Sequence, residues 1–305
     1  PRACAQLARS ARNNYNHPMT PDPVNNRIIL LVGGRTYRAN AFVDAAHRLG
    51  LEVVKALDMP PPLADYWKPT LPIDFRDPER GAADLIAYAK SHPPRTIIAV
   101  DDGGQDIAAR ACEELDISHN APDAAIATQN KHLMRQKLSA AGVPSPRFRL
   151  FHTDDDPEQF AQEIRYPCVV KPLLLSASQG VIRANNLQEF MRAFNRTRSI
   201  VLATGGEPGQ DHKGHVLVED YMPGIEVALE GILGGGRLNV LALFDKPDPL
   251  EGPYFEETIY TTPSRLPQET QDAIFDCARR ACAALGLREG PIHAELRVNE
   301  QGPWV

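Results

Sequence analysis

The stretch Val216-Leu217-Val218-Glu219-Asp220-Tyr221-Met222-Pro223-Gly224-Ile225-Glu226 decides the architecture of this chain. Residues 216–219 form an apolar strand that ends on a carboxylate, and Pro223-Gly224 breaks the run. From Glu226 to Ile232 apolar and polar side chains alternate with the period of a half-buried strand. Gly234-Gly235-Gly236 then turns the chain back into a second apolar run over 238–244. Strands joined this tightly pair antiparallel, as a hairpin or meander, because a parallel pair needs a long crossover.

Working outward, 148–151 and 168–170 read as strands, 130–141 and 187–194 as helices, 267–285 as a long helix and 293–298 as an alternating strand. The second half is therefore α+β. The first third has a different pattern. An apolar run at 28–32 stops at Gly33-Gly34, a helix follows at 40–49, and 51–57 is again a strand. Helical stretches at 82–89 and 107–115 flank a buried strand at 96–100, which ends in Asp101-Asp102-Gly103-Gly104. Alternation of this kind builds a parallel, Rossmann-like α/β sheet. Its strand ends at 33–34 and 101–104 lie where open α/β sheets bind ligands. Gly33-Gly34-Arg35-Thr36-Tyr37-Arg38 lacks the third glycine of a dinucleotide fingerprint, which argues against NAD.

The chain has 305 residues, enough for two domains with cores of their own and no need of a disulfide or metal staple. A net charge of −6 gives no global field for nucleic acid or an anionic membrane. The five cysteines are an odd set without a CxxC pair, so they read as buried thiols of a reducing compartment, and the protein as cytoplasmic. No apolar run reaches the ~20 residues of a membrane span. The polar first 26 residues, with a short helix at 4–12, read as a tail, and the Gly-rich stretch 204–214 as a mobile loop.

Four places carry chemistry. Lys171 stands at the carboxyl end of the strand Val169-Val170-Lys171-Pro172 and faces a loop of small residues, with Ser176, Ser178 and Gly180. A point charge beside backbone N–H groups suits a nucleotide phosphate tail, although no P-loop motif is present. Glu219 and Glu226 flank a break in the chain. If a nucleotide lies along it, the backbone at Asp220 and Met222 meets the adenine edge and Glu226 accepts from ribose hydroxyls. Strand alternation puts His293, Glu295 and Arg297 on one face, which makes that face solvent-exposed or part of a site, not core. Glu295 is an oxygen donor of the kind Mg²⁺ prefers. The stretch from Phe244-Asp245-Lys246-Pro247 to Glu256-Glu257 is rich in turn residues and carboxylates and reads as a loop or lid rim. Taken singly, each of these residues is equally at home as an ordinary surface charge.

Together and in this order they resemble the ATP-grasp superfamily. Asn130-Lys131-His132-Leu133-Met134-Arg135 looks like its helix opening the nucleotide subdomain, Tyr166-Pro167-Cys168-Val169-Val170-Lys171-Pro172 like its phosphate-contacting strand, Val218 to Glu226 like its adenine hinge and ribose carboxylate, and Gly290-Pro291-Ile292-His293-Ala294-Glu295 like its first metal-ligand strand. Within the superfamily, Asp245-Lys246-Pro247, Gly252-Pro253-Tyr254-Phe255-Glu256-Glu257 and Thr262-Pro263-Ser264 look most like the L-amino-acid ligases of the bacilysin-synthetase type.

The resemblance implies an ATP-grasp domain over 121–305 behind an α/β domain over 27–120, with a small nucleotide subdomain at about 143–222 and a catalytic subdomain from about 223. It implies ATP and Mg²⁺ (or Mn²⁺), with Lys131 and Lys171 on phosphates, Ser176 and Ser178 beside them, and Glu219, Asp220, Met222 and Glu226 on the adenosine. Lys171 and Glu295 would be catalytic, Glu295 would hold the metal, and Glu256 or Glu257 would hold an amino-acid ammonium. A second metal ligand is expected beyond Val305, so that the catalytic subdomain is incomplete at 305. The implied reaction is ligation of an L-amino acid to a second amino acid or amine through an acyl phosphate, by a possible homodimer acting on small molecules. Another carboxylate ligase or carboxylase, or a non-catalytic nucleotide module, is the alternative.

Overall fold

The computed structural model describes residues 26–34, 36–204 and 214–305. The short helix expected at 4–12, and residues 205–213 of the loop expected over 204–214, lie outside them. The chain divides into two compact units between Ile117 and Ser118.

In the first unit, β1 (Arg27–Val32), α1 (Ala39–Arg48), β2 (Glu52–Asp58), α2 (Pro61–Trp67), β3 (Pro72–Ile73), α3 (Pro78–Ser91), β4 (Thr96–Ala99) and α4 (Gln105–Glu114) succeed one another. The strands form one parallel sheet in the order β3-β2-β1-β4. The apolar run of β1 explains its place: Ile28, Ile29, Leu30, Leu31 and Val32 are all buried, as an inner strand covered on both faces requires. Ile29 and Leu31 pack with Leu85, Ile107 and Ala111 on one side, and Ile28, Leu30 and Val32 pack with Ala46 on the other. α3 starts earlier than its apolar stripe suggests, because Pro78 sits in its first turn and the Asp77 side chain caps the Arg80 N–H.

The second unit contains α5 (Pro122–Gln129), α6 (Lys131–Ala140), β5 (Phe148–His152), β6 (Cys168–Pro172), β7 (Ile182–Ala184), α7 (Leu187–Ala203), β8 (His215–Asp220), β9 (Ile225–Gly234), β10 (Arg237–Asp245), α8 (Gln268–Leu285), β11 (Gly290–Asn299) and β12 (Gly302–Trp304). Two antiparallel sheets result. One has the order β5-β8-β6-β7 and the other β10-β9-β11-β12. α7 covers the β5-β8-β6-β7 sheet through Phe190, Ala193, Phe194, Thr197 and Val201, which recur at helical spacing. α6 and α8 cover the other sheet, with Leu138, Ile274, Cys277, Ala278 and Ala281 against Val227, Leu229 and Leu296.

In the second unit two helices also differ from the sequence reading. The helix expected over 130–141 begins at Lys131, because the Asn130 side chain accepts from the N–H groups of His132 and Leu133 as an N-cap. The helix expected to stop at 194 runs to Ala203, since buried Thr197 and Val201 extend the stripe beneath an otherwise polar segment. α2, α5 and β7 are short elements that the apolar pattern did not reveal.

Candidate functional site

Two charge clusters of opposite composition form in the second unit. The first surrounds Glu219, the penultimate residue of β8, whose side chain is only 3% exposed. Lys171, penultimate in the neighbouring β6, places Nζ 2.5 Å from Glu219 Oε2. Arg135 on α6 places Nε 2.7 Å from Glu219 Oε1. Burial alone would raise this carboxyl, but Arg135 and Lys171 outweigh it and hold its pKa down at about 2. Lys131 lies one helical turn before Arg135 on the same face of α6. Its ammonium donates to the carbonyl oxygens of Leu175 at 2.6 Å and Leu173 at 3.4 Å. Burial, and then repulsion by Lys171, push Lys131 down to about 8. Three cations around one carboxylate leave an excess of positive charge, which suits a polyanion.

The second cluster grows from the register of β9, β10 and β11. Glu226 lies opposite Arg297, Ala228 opposite Glu295, and Glu230 opposite His293. On the other flank Phe244 lies opposite Ala228, and the backbone N–H of Lys246 donates to the Glu226 carbonyl. Alternation therefore brings Glu226, Glu295, Arg297, His293 and Lys246 to one face. Lys246 Nζ sits 2.7 Å from Glu226 Oε1, 2.5 Å from Glu257 Oε1 and 2.6 Å from Glu295 Oε1. Burial acts to lower the Lys246 pKa, and the three carboxylates override it and hold it well above the ordinary lysine value. Arg297 contacts Glu226 Oε2 at 3.0 Å, and the Tyr260 hydroxyl donates to Glu257 Oε2. His293 Nδ1 meets Glu230 at 2.7 Å, and the charge of Glu295 and then that of Glu230 raise its pKa to about 9.

Glu226, Glu257 and Glu295 offer oxygen donors that lie within 4.8 Å of one another. A set of three carboxylates fits a hard divalent cation such as Mg²⁺. The expected row of His293, Glu295 and Arg297 is thus present and packed against other charges.

The other residues expected from sequence occupy more open positions. Ser176 and Ser178 are exposed in the tight loop after β6, where Ala177 and Ser178 have φ of 52° and 53°. Asp220 ends β8, with its N–H on the Arg147 carbonyl, and half-buried Met222 stands in the break after it. Both oxygens of Glu257 are committed, to Lys246 and Tyr260. Glu256 is exposed and makes no hydrogen bond or ion pair among the described residues. Lys246, Arg135 and Tyr260 were not singled out by sequence. Lys246 carried a signal, since it continues the Ala242, Phe244 alternation of β10. Arg135 carried one too, four residues after Lys131.

Comparison with known proteins agrees with this architecture. Residues 164–305 match the ATP-grasp domain. The protein y4rH of Sinorhizobium fredii is 26% identical over 312 residues, covering 100% of this chain and 62% of that protein. The alanine–anticapsin ligase of Bacillus subtilis is 26% identical over 202 residues, covering 62% of this chain and 42% of the ligase. The chain therefore spans roughly half the length of these curated relatives. The crystal structure of an L-amino acid ligase from Bacillus licheniformis superposes with a TM-score of 0.71 at 25% identity, covering 92% of this chain and 66% of the ligase. The parallel sheet, the two antiparallel sheets and these matches define an ATP-grasp fold. Among the proteins compared, the chain is similar to the alanine–anticapsin ligase and to the L-amino acid ligase.

Proposed function

We propose that the protein is an ATP-dependent ligase that joins the carboxylate of an L-amino acid to a second amino acid or amine, releasing ADP and phosphate. The observation that carries this reading is the pairing of a cation-rich cluster at Lys131, Arg135 and Lys171 with a carboxylate cluster at Glu226, Glu257 and Glu295 inside one compact unit. The first suits a triphosphate and the second suits the cation that accompanies it.

In this reading the substrate carboxylate attacks the γ-phosphorus of ATP, ADP leaves, and the resulting acyl phosphate is attacked by the amine, which expels phosphate. A carboxylate is a poor electrophile, and the first step makes it a good one. Lys131 and Lys171 face the negative charge that develops on the transferring oxygens, and a buried cation stabilises such charge far more than a solvated one. Mg²⁺ held by Glu295 and its neighbours would neutralise further charge there. Glu219 anchors Lys171 and Arg135, so its role toward the adenosine is indirect. Glu226 borders the break that meets the nucleoside. Glu256, whose oxygens are uncommitted, is the better placed of the two loop carboxylates to take a substrate ammonium. We place the protein in the cytoplasm, since no helix among the described residues is long and apolar enough to cross a membrane and its four described thiols are buried and unpaired. A homodimer is the simplest assembly.

The test is phosphate release from Mg-ATP by the full-length protein, offered single L-amino acids and their pairs, with Glu295→Gln as control. Release that needs two amino acids and vanishes in the control is expected. Normal ATP binding without stimulation by any pair would sink the amino-acid ligase reading and favour a carboxylase or a non-catalytic nucleotide module.

A further inference from the structure

The loop between β10 and α8 leaves its own sheet and is gripped by another. Its root is closed by a pair of backbone hydrogen bonds between Asp245 and Thr261, at 2.9 and 3.0 Å. Its tip, residues 250–254, lies on β7, the edge strand of the β5-β8-β6-β7 sheet. There Ile182 forms an antiparallel bridge with Tyr254. The Arg183 N–H donates to the Pro253 carbonyl at 2.9 Å, and the Arg183 guanidinium donates to the Glu251 carbonyl at 2.6 Å. A Cβ on Gly252 would stand 2.8 Å from the Arg183 Cβ, so the tip runs directly against this side chain.

Little else holds the tip. Leu250 is buried and its carbonyl accepts from Arg297, but from 251 to 260 only Gly252 and Phe255 are even half-buried. A segment with so few buried contacts opens at low cost unless hydrogen bonds pin it. Arg183 is itself well fixed. Its Nε donates to Asn185 Oδ1 at 2.9 Å, and its guanidinium lies 4.0 Å from the centroid of the Tyr221 ring. A guanidinium can stack on a ring and donate in its own plane at the same time, whereas an ammonium has no such plane.

Glu256 follows the tip by two residues. On its other side is Glu257, whose oxygens go to Lys246 and Tyr260. Fixing both sides removes conformers that Glu256 would otherwise lose only when a ligand bound.

We propose that Arg183 is a positioning residue: it holds the loop tip so that Glu256 stands ready for the ammonium of the amino-acid substrate. The proposal rests on the ligase reading, in which Glu256 takes that group. It gives the sheet that carries Lys171 and Glu219 a part in recognising the second ligand.

The test uses the full-length protein and two readouts. Chymotryptic cleavage after Tyr254 or Phe255, mapped by peptide mass, reports the tip without any ligand. Arg183→Gln should be cut there at least about tenfold faster than wild type, with cleavage elsewhere and the unfolding temperature unchanged. Arg183→Lys should fall between the two. Turnover of Mg-ATP with the stimulating amino acids reports Glu256. In Arg183→Gln the KM for an amino acid should rise about tenfold at unchanged kcat, and the KM for ATP should not move. Adding Arg183→Gln to Glu256→Gln should raise that KM no further, because the arginine acts through the carboxylate. Gly252→Ala, which displaces the tip without removing a donor, should reproduce the faster cleavage and the higher KM. Equal cleavage of wild type and Arg183→Gln would overturn the clamp. Faster cleavage with the amino-acid KM unchanged, or single effects that multiply in the double variant, would overturn the positioning role and leave the ligase reading standing. Wild type without amino-acid-dependent turnover would overturn the ligase reading and the role of Glu256 with it.

Discussion

The clusters around Glu219 and Lys246 are charge inverses of each other. In one, a single buried carboxylate is held by two cations with a third nearby; in the other, a single buried ammonium is held by three carboxylates. Both obey the rule that a buried charge must be paired and hydrogen-bonded. They differ in what remains unsatisfied. The Glu219 cluster carries surplus positive charge and attracts anions. The Lys246 cluster carries surplus negative charge and attracts cations. The two are electrostatically linked: Lys131 feels Lys171, Glu219 and Arg135 from one cluster and Glu295 from the other. Under the proposed function, a magnesium–polyphosphate complex would meet its complement in this division, the anion at one cluster and the cation at the other.

The comparison breaks most visibly at its central groups. Replacing Glu219 with Gln leaves Arg135 and Lys171 facing a buried neutral amide, and removing one partner of a buried pair costs about 3–5 kcal/mol. Urea unfolding of Glu219→Gln should show a loss of that order. The pH dependence sharpens the point. The folded pKa of about 2 lies below the ordinary 4.5, so the carboxylate's contribution is complete above 4.5 and disappears as pH falls toward 2. Wild type should lose that part of its stability over this window and Glu219→Gln should not. An acid unfolding curve of the same shape in both proteins would show that the cations do not depend on Glu219.

The two clusters differed in how far they could be read from sequence. Lys171 and Glu219 were legible because each stands at the end of a strand, where an apolar run stops on a charge; Glu226 was legible beyond the Pro223-Gly224 break, at the start of the next strand, and Lys131 was reached only through the family resemblance. The face shared by His293, Glu295 and Arg297 was legible from period two alone, and the β9–β11 register reproduces it. Lys246 was harder. Its partners come from β9, β11 and a loop, and Glu257 reaches it from eleven residues away along a stretch with no periodicity. A periodic pattern fixes which face a side chain takes, not which other strand lies beside it. The choice between Glu256 and Glu257 failed for the same reason, since it depends on Lys246 and Tyr260. At the level of fold, the parallel and antiparallel halves were both readable, because period two, period 3.6 and continuous apolar runs distinguish them. The short elements α2, α5 and β7 carried too few residues to show any period.

A smaller effect is expected at Gly224, which lies in the break between Glu219 and Glu226 and so joins the two clusters. Its φ of +119° is one that side chains rarely adopt, and a Cβ there would stand 2.2 Å from the Val298 carbonyl oxygen. Gly224→Ala must strain the backbone, at about 1–3 kcal/mol, and push β11 away at the residue beside Arg297. Both clusters should loosen together. Lower thermal stability accompanied by weaker nucleotide and weaker Mn²⁺ binding would support a shared hinge. Loss of one binding property with the other intact would show that the clusters are independent.

The smallest expected effect separates the clusters by titration. Lys131, at about 8 in the folded chain against 10.5 for an ordinary lysine, disfavours its own charged form when the site is empty. The cost to stability is complete below about 8 and is relieved as pH rises from there toward 10.5, so removing this lysine should stabilise the empty protein at neutral pH. ATP demands the opposite protonation state. Above about 8, binding must first return a proton to Lys131, and ATP affinity should fall by at most about tenfold per pH unit. Lys131→Met should bind ATP more weakly at pH 7 and lose this slope between pH 8 and 10. Mn²⁺ binding at the carboxylate triad should keep its own pH profile in that variant. Retention of the ATP slope in Lys131→Met would assign it to another group and remove Lys131 from the phosphate-binding set.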